Sequence, residues 1–216
     1  MKKLGILSVR GVYRSAADFL RYKNWGYDVC GVSGELEEFM PENLDGLIIP
    51  GGKSEVILDS ILADSKLEQF IRNQKRVWGL CAGMVVLAEG AYIKEGLCSQ
   101  YEDLHAPPLA MLPIVVERFG WDIQQFEYPV EATFGKSLSC YFAEAPRPVG
   151  YIGQVEMRGY VSFSDGDYVR FQSNTGLGGI APQIFSPSIV RYGDIVGTSF
   201  WAMDYAFEKV LLDWWL

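Results

Sequence analysis

The chain has 216 residues, 49% of them apolar and 14% aromatic, which is enough for one globular domain spanning 1–216 with a full core. A formal net charge of −8 argues against a general binder of nucleic acid or anionic membrane. Four scattered cysteines (Cys30, Cys81, Cys98, Cys140) without a C-x-x-C pair, and a single histidine, His105, argue against a zinc site, so no metal and no cofactor is expected.

Free thiols fit a reducing cytoplasm, and no stretch is long and apolar enough to span a membrane. Met1-Lys2-Lys3 and the apolar run after it imitate a signal peptide. The run is short, Arg10 ends it and no small-residue cleavage site follows, so a first strand over 4–9 is expected. Residues 13–25 read as an amphipathic helix and 27–32 as a second strand. Leu47-Ile48-Ile49 forms a third strand that runs straight into Pro50-Gly51-Gly52. Ser54 reads as the N-cap of a helix over 55–62, and 66–73 continues helical. A fourth strand covers 77–80, followed by a helix over 82–89. This alternation predicts an α/β fold with a largely parallel central sheet.

The second half changes character. A buried strand is expected over 110–116. Short alternating strands are expected over 151–157, 160–163 and 168–172, with Ser164-Asp165-Gly166-Asp167 as a hairpin turn. Residues 173–179 are polar and glycine-rich and read as a loop. Strands over 188–192 and 195–200 flank a turn at Gly193-Asp194. A closing helix over 202–216 places Met203, Phe207, Val210, Leu211 and Trp214 along one face, and Asp204 and Glu208 read as solvated.

Val77-Trp78-Gly79-Leu80-Cys81-Ala82-Gly83-Met84 carries the chemistry. A cysteine between a buried strand and a helix, with glycines two residues away on each side, has the G-x-C-x-G form of a nucleophile elbow. The sharp turn lifts the thiol above the sheet, and the helix N-terminus behind it favours the thiolate. In α/β sheets, sites form at the carboxyl ends of parallel strands, so the Gly51-Gly52 loop is expected at the same edge. Gly52 and Ala82 N–H groups there would form an oxyanion hole. A plain strand-to-helix turn at Gly51-Gly52 is the alternative.

These stretches resemble the class I glutamine amidotransferases, with the closest likeness to the glutaminase subunit of pyridoxal 5′-phosphate synthase. The matching segments are 4–11, Leu44-Asp45-Gly46-Leu47-Ile48-Ile49-Pro50-Gly51-Gly52 with Ser54, 79–87, Val115-Val116-Glu117-Arg118 with Phe126-Glu127, Tyr141-Phe142-Ala143-Glu144-Ala145-Pro146, and Gly197-Thr198-Ser199-Phe200. The resemblance implies a three-layer α/β/α, flavodoxin-like domain. It makes Cys81 the nucleophile that attacks the glutamine amide, Gly52 and Ala82 the oxyanion donors, and Gly51, Lys53, Ser54, Arg10 and Arg118 substrate-pocket residues. It also implies a synthase-type partner subunit. The segment 147–188 is longer than the family usually has there, and its role is open.

The resemblance also exposes departures. The family's histidine directly follows Thr-Ser-Phe, with the glutamate two residues later; here those positions hold Trp201 and Met203. Neither accepts a proton from a thiol. Where a triad acts as a unit, losing the base costs on the order of 10⁶ in turnover, roughly 8 kcal/mol of barrier. A cysteine is partly thiolate unaided, which helps attack but not departure of the amine. Arg10 and Lys53 replace the family's glutamine and glutamate; if they face Cys81 the pocket would attract a small anionic ligand, or a glutamine-like one, and the alternative is that both long side chains point into solvent. Phe119 and Trp121 depart from polar residues and would fill the old glutamine site.

Three readings follow. The first is a degenerate amidotransferase acting as a binding or regulatory subunit. The second is an active glutaminase with an unorthodox base, supplied by His105 or by a partner. The third is another cysteine-dependent hydrolase of similar architecture, against which Arg10 counts, because such enzymes often carry a carboxylate near the first strand.

Overall fold

The structure is a computed structural model. It describes residues 1–13, 15–34, 40–93, 104–119, 126–131, 137–142, 145–151, 156–161, 186–199, 201–202 and 205–216. The first half alternates as expected: β1 (Lys3–Leu7), α1 (Ser15–Asn24), β2 (Asp28–Val32), β3 (Gly46–Ile49), α2 (Ser54–Leu62), α3 (Ser65–Arg72), β4 (Val77–Leu80) and α4 (Ala82–Leu87). Then come β5 (Ala88–Ile93), β6 (Leu112–Arg118), β7 (Phe126–Glu131), β8 (Ser137–Phe142), β9 (Arg147–Tyr151), β10 (Glu156–Val161), β11 (Ser186–Tyr192), β12 (Ile195–Thr198), β13 (Trp201–Ala202) and α5 (Tyr205–Trp215).

The parallel core of the sheet runs β2-β1-β3-β4-β12. Its strands are buried on both faces, and the two-residue period sorts their side chains into two cores. Leu4, Ile6, Ile48, Trp78 and Val196 face Tyr22 of α1 and Leu211, Leu212 and Trp215 of α5. Leu7, Leu47, Ile49 and Val77 face Ile57, Ile61, Leu67 and Ile71 of α2 and α3 and Met84 of α4. This is the three-layer α/β/α arrangement. Trp78 and Trp215 meet edge to face at 5.7 Å, worth about 0.5–1.5 kcal/mol beyond their buried area.

Beyond β12 the sheet continues antiparallel through β11, β10, β7 and β8 to β13. Only Ser199 and Phe200 separate the end of β12 from Trp201 of β13. Three residue steps span at most about 11 Å, whereas five strand spacings in a flat sheet would span about 24 Å. The antiparallel arm therefore curls back on itself. That returns Cys140 and Tyr141 of β8, the register partners of Ala202 and Trp201, toward the carboxyl end of β12. A second sheet, β5-β6-β9, buries the Glu117–Arg147 ion pair across the register position those two residues share.

Several local expectations are corrected. Lys53, not Ser54, occupies the N-cap of α2, without a side-chain cap; Ser54 is already helical. α3 is a separate helix, capped by the Asp64 carboxylate on the N–H groups of Lys66 and Leu67 at 3.0 and 3.2 Å. α4 ends at Leu87, and Ala88 opens β5 instead of extending the helix. Of the stretch 151–157, Tyr151 belongs to β9 and Glu156 and Met157 to β10, and 152–155 lie outside the described residues. The strands β7 and β8 have no counterpart among the expected elements. The hairpin at 164–167, the strand over 168–172 and the loop over 173–179 lie outside the described residues.

Among the described side chains of α5, Glu208, Leu211, Leu212 and Trp215 are buried. Glu208 is thus not solvated. It accepts the Tyr22 hydroxyl at 2.5 Å and Arg21 at 3.0 Å, with Asp18 also paired to Arg21. Burial is the main influence on its carboxyl and pushes the pKa above the ordinary 4.5. Asp204 lies outside the described residues. Among the described residues, no helix is long and apolar enough to cross a membrane.

Candidate active site

Cys81 stands between β4 and α4 with φ 51° and ψ −108°. A non-glycine residue held there carries strain on the order of 1–3 kcal/mol, as a nucleophile elbow requires. Its flanking glycines are forced by close approach. A Cβ on Gly83 would press into the carbonyl of Ile49, and one on Gly79 into the carbonyl of Gly83. The elbow therefore packs directly on the end of β3, one residue before Pro50. Its backbone is held from the other side too: Cys81 N–H donates to Thr198 O at 2.7 Å, and Thr198 Oγ1 accepts the Trp78 indole N–H at 3.2 Å.

The loop after β3 is zipped to the turn after β1. Val12 and Gly52 form an antiparallel bridge, closed by Tyr13 N–H to Gly51 O at 2.8 Å and Lys53 N–H to Gly11 O at 2.9 Å. In such a bridge the flanking residues carry the hydrogen bonds, so the Gly52 N–H faces away from the partner segment. A side chain at Gly52 would collide with the Gly11 carbonyl, so glycine is required. Ala82 opens α4, where helix N–H groups have no intrahelical acceptor. Gly52 and Ala82 thus follow adjacent parallel strands and carry N–H groups outside the ladder, the parts an oxyanion hole needs.

Arg10 and Lys53 lie on either side of this bridge, and both are exposed. Ser54 is buried at the start of α2. Arg118, at the end of β6, is buried; its Nη2 donates to Glu55 Oε2 at 2.7 Å. The same carboxylate oxygen accepts the Ser54 hydroxyl at 3.3 Å. Phe119 follows in a left-handed conformation, φ 58°, with its ring 5.4 Å from the Arg118 guanidinium. Trp121 lies outside the described residues.

The segment that would supply the rest of a triad leaves β12 beside the elbow. Thr198 is the register partner of Leu80, and Ser199 is fully buried, its hydroxyl 3.7 Å from the Met84 sulfur. The backbone of Trp201 pairs with Tyr141 in β13, and Met203 lies outside the described residues. His105 is 65% exposed at its side chain and sits 3.1 Å from Asp59 on α2. That is a surface position, in contrast to Cys81, which is 6% exposed. Two contributors escaped the sequence reading. Thr198 gave no signal beyond its motif. Glu55 gave a weak one, as an acidic residue in the first turn of the helix after the glycine loop.

The comparisons with known proteins agree with this architecture. The model of the SNO glutamine amidotransferase family matches residues 33–179. The pyridoxal 5′-phosphate synthase subunit PdxT of Thermosipho africanus is 27% identical over 188 residues, 84% of this chain and 91% of the relative. That of Fervidobacterium nodosum is 34% identical over 161 residues, 70% of this chain and 76% of the relative. A crystal structure of a glutamine amidotransferase superposes with a TM-score of 0.70 at 23% identity, over 98% of each chain. The structure of PurLQS from Thermotoga maritima follows at 0.57 and 10% identity, over 99% of each chain. The two structural likenesses show the fold, and the sequence matches carry the kinship. The chain belongs to the SNO glutamine amidotransferase family.

Proposed function

We propose that this protein is a pyridoxal 5′-phosphate synthase-type amidotransferase subunit that retains the cysteine elbow and oxyanion loop but has lost its proton-transfer partners. Cys81 takes the nucleophile position, and Gly52 and Ala82 the oxyanion positions. Trp201 and Met203 stand where histidine and glutamate are expected, so glutamine hydrolysis is very weak or absent. The protein then acts as a binding or regulatory subunit on a synthase-type partner. Its pocket takes a small anionic or glutamine-like ligand, with Gly51, Lys53, Ser54, Arg10 and Arg118 around it.

The observation that carries this reading is the hydrogen bond from Cys81 N–H to Thr198 O at 2.7 Å. It ties the elbow to the segment that reaches Trp201 three residues later, which supports reading Trp201 at the histidine position. An indole there neither takes the thiol proton nor returns one to the leaving amine.

The test pairs ammonia release from glutamine with labelling by a glutamine-analogue electrophile. The expected outcome is no ammonia above a Cys81→Ser control, with Cys81 still alkylated by a small generic thiol reagent. Rapid analogue labelling with ammonia release, lost in Cys81→Ser, overturns the inactive reading. Affinity capture of a synthase from the source cells tests the partner.

A further inference from the structure

Glu55 is a carboxylate that the glycine-loop motif does not require. It stands in the first turn of α2, and its side chain is 15% exposed against 3% for Arg118. Its Oε2 receives both Arg118 Nη2 and the Ser54 hydroxyl. One carboxylate oxygen thus joins the end of β6 to the first turn of α2. Outside it, Arg10 and Lys53 are exposed on the two sides of the Val12–Gly52 bridge.

We propose that Glu55 is a specificity-determining residue that engages the Arg118 guanidinium as a fixed internal anion, so that ligand anions are received by Lys53 and Arg10 instead. This rests on the reading above that Arg118 and the glycine loop line the pocket. At 2.7 Å and with little water around it, the pair presents nearly no net charge to a ligand. A ligand carboxylate that approached Arg118 would also meet the like charge of Glu55. Residues 8–13 hold no acidic residue, and the carboxylate nearest in the chain to Lys53 is Glu55 itself, which Arg118 engages. The site therefore sorts ligands by where their negative charge lies, not by whether they have one. Replacing Glu55 by glutamine keeps an acceptor for Arg118 and removes the charge, which isolates the electrostatic role from the hydrogen bond.

The experiment compares alkylation of Cys81 in the full chain by iodoacetate and iodoacetamide, near-isosteric reagents that differ in charge. Their rate ratio cancels changes in thiol ionisation common to both. Cys81→Ser identifies the labelled site by mass spectrometry. In Glu55→Gln the ratio is expected to rise on the order of tenfold, from one uncovered positive charge. The gain should vanish in Glu55→Gln/Arg118→Gln, and Lys53→Gln should lower the ratio in the parent. A ratio within about twofold of the parent in folded Glu55→Gln makes the pair a structural tie and overturns the proposal. Should Glu55→Gln not fold, Glu55→Asp, which keeps the charge but retracts it by one methylene, is expected to raise the ratio partway; an unchanged ratio again overturns it. Should Cys81 resist both reagents, calorimetric titration with L-glutamate reads the same sign, tighter in the variant. Equal or undetectable binding in both proteins counts against the proposal. None of these readouts needs turnover, so they stand whether or not the protein releases ammonia.

Discussion

The backbone N–H of Cys81 is bonded to the carbonyl of Thr198 at 2.7 Å, which locks the elbow after β4 to the end of β12. Whatever follows Thr198 therefore has a fixed starting point beside the thiol. On the proposed reading that Trp201 and Met203 occupy the histidine and glutamate positions, restoring those two residues should exploit it. Trp201→His combined with Met203→Glu is expected to raise ammonia release from glutamine by at least about 10²-fold, the usual contribution of a positioned acid–base group. A coupled ammonia assay with a Cys81→Ser control measures this. A double variant as inert as its parent would show that histidine at 201 does not reach the thiol.

Gly83 faces the Ile49 carbonyl with no room for a methyl group. Gly83→Ala should cost about 1–3 kcal/mol, the usual range for overpacking against an unyielding neighbour. Urea denaturation reads the loss, and slower alkylation of Cys81 would report that the elbow itself has shifted. Stability within 0.5 kcal/mol of the parent, as for about any neutral surface change, would contradict this packing.

The Glu208 network makes a pH prediction. Burial raises the Glu208 pKa, and Arg21 and Tyr22 oppose that rise. Its contribution to stability is therefore fully present below the ordinary 4.5 and declines as pH rises through the folded value. Tyr22→Phe removes one donor to the ionised form. The variant should lose about 1–3 kcal/mol at neutral pH and less near pH 4.5, where the carboxyl is protonated more often. Chemical denaturation at the two pH values measures the difference. An equal loss at both would mean the Tyr22 bond does not distinguish the two forms.

Arg147 and Glu117 are paired with side chains 3% and 4% exposed. Arg147→Ala leaves a carboxylate without its cation inside the small sheet, so a loss of about 3–5 kcal/mol is expected. His105→Ala provides the contrast. Its pair with Asp59 is 65% and 45% exposed, so a change within about 1 kcal/mol is expected. Thermal unfolding of both variants, run together, checks the ranking. A His105→Ala effect on Cys81 labelling would revive His105 as an unorthodox base.

Much of the first half was legible because its signals are local. The bounds of β4 were read directly, since a cysteine between Gly79 and Gly83 makes backbone demands that few arrangements meet. The turn at Gly193-Asp194 between β11 and β12 was legible for the same reason. The helix over 82–89 overran into the first two residues of β5, Ala88 and Glu89, because a period cannot be resolved over so short a stretch. β7 and β8 were missed because their stability comes from pairing with each other, and Pro129 masks the pattern.

The sequence by itself determined the elbow, the glycine loop, the α/β alternation and the kinship. Each depends on residues close in the chain or on their linear order. Tertiary structure decided which charges are buried. Glu208 meets Tyr22 across 186 positions and Arg118 meets Glu55 across 63. It also decided that the antiparallel arm curls back toward the end of β12, because a two-residue link is too short to cross a flat sheet. Burial and pairing are relations between distant segments, and no local pattern encodes which distant segment will arrive.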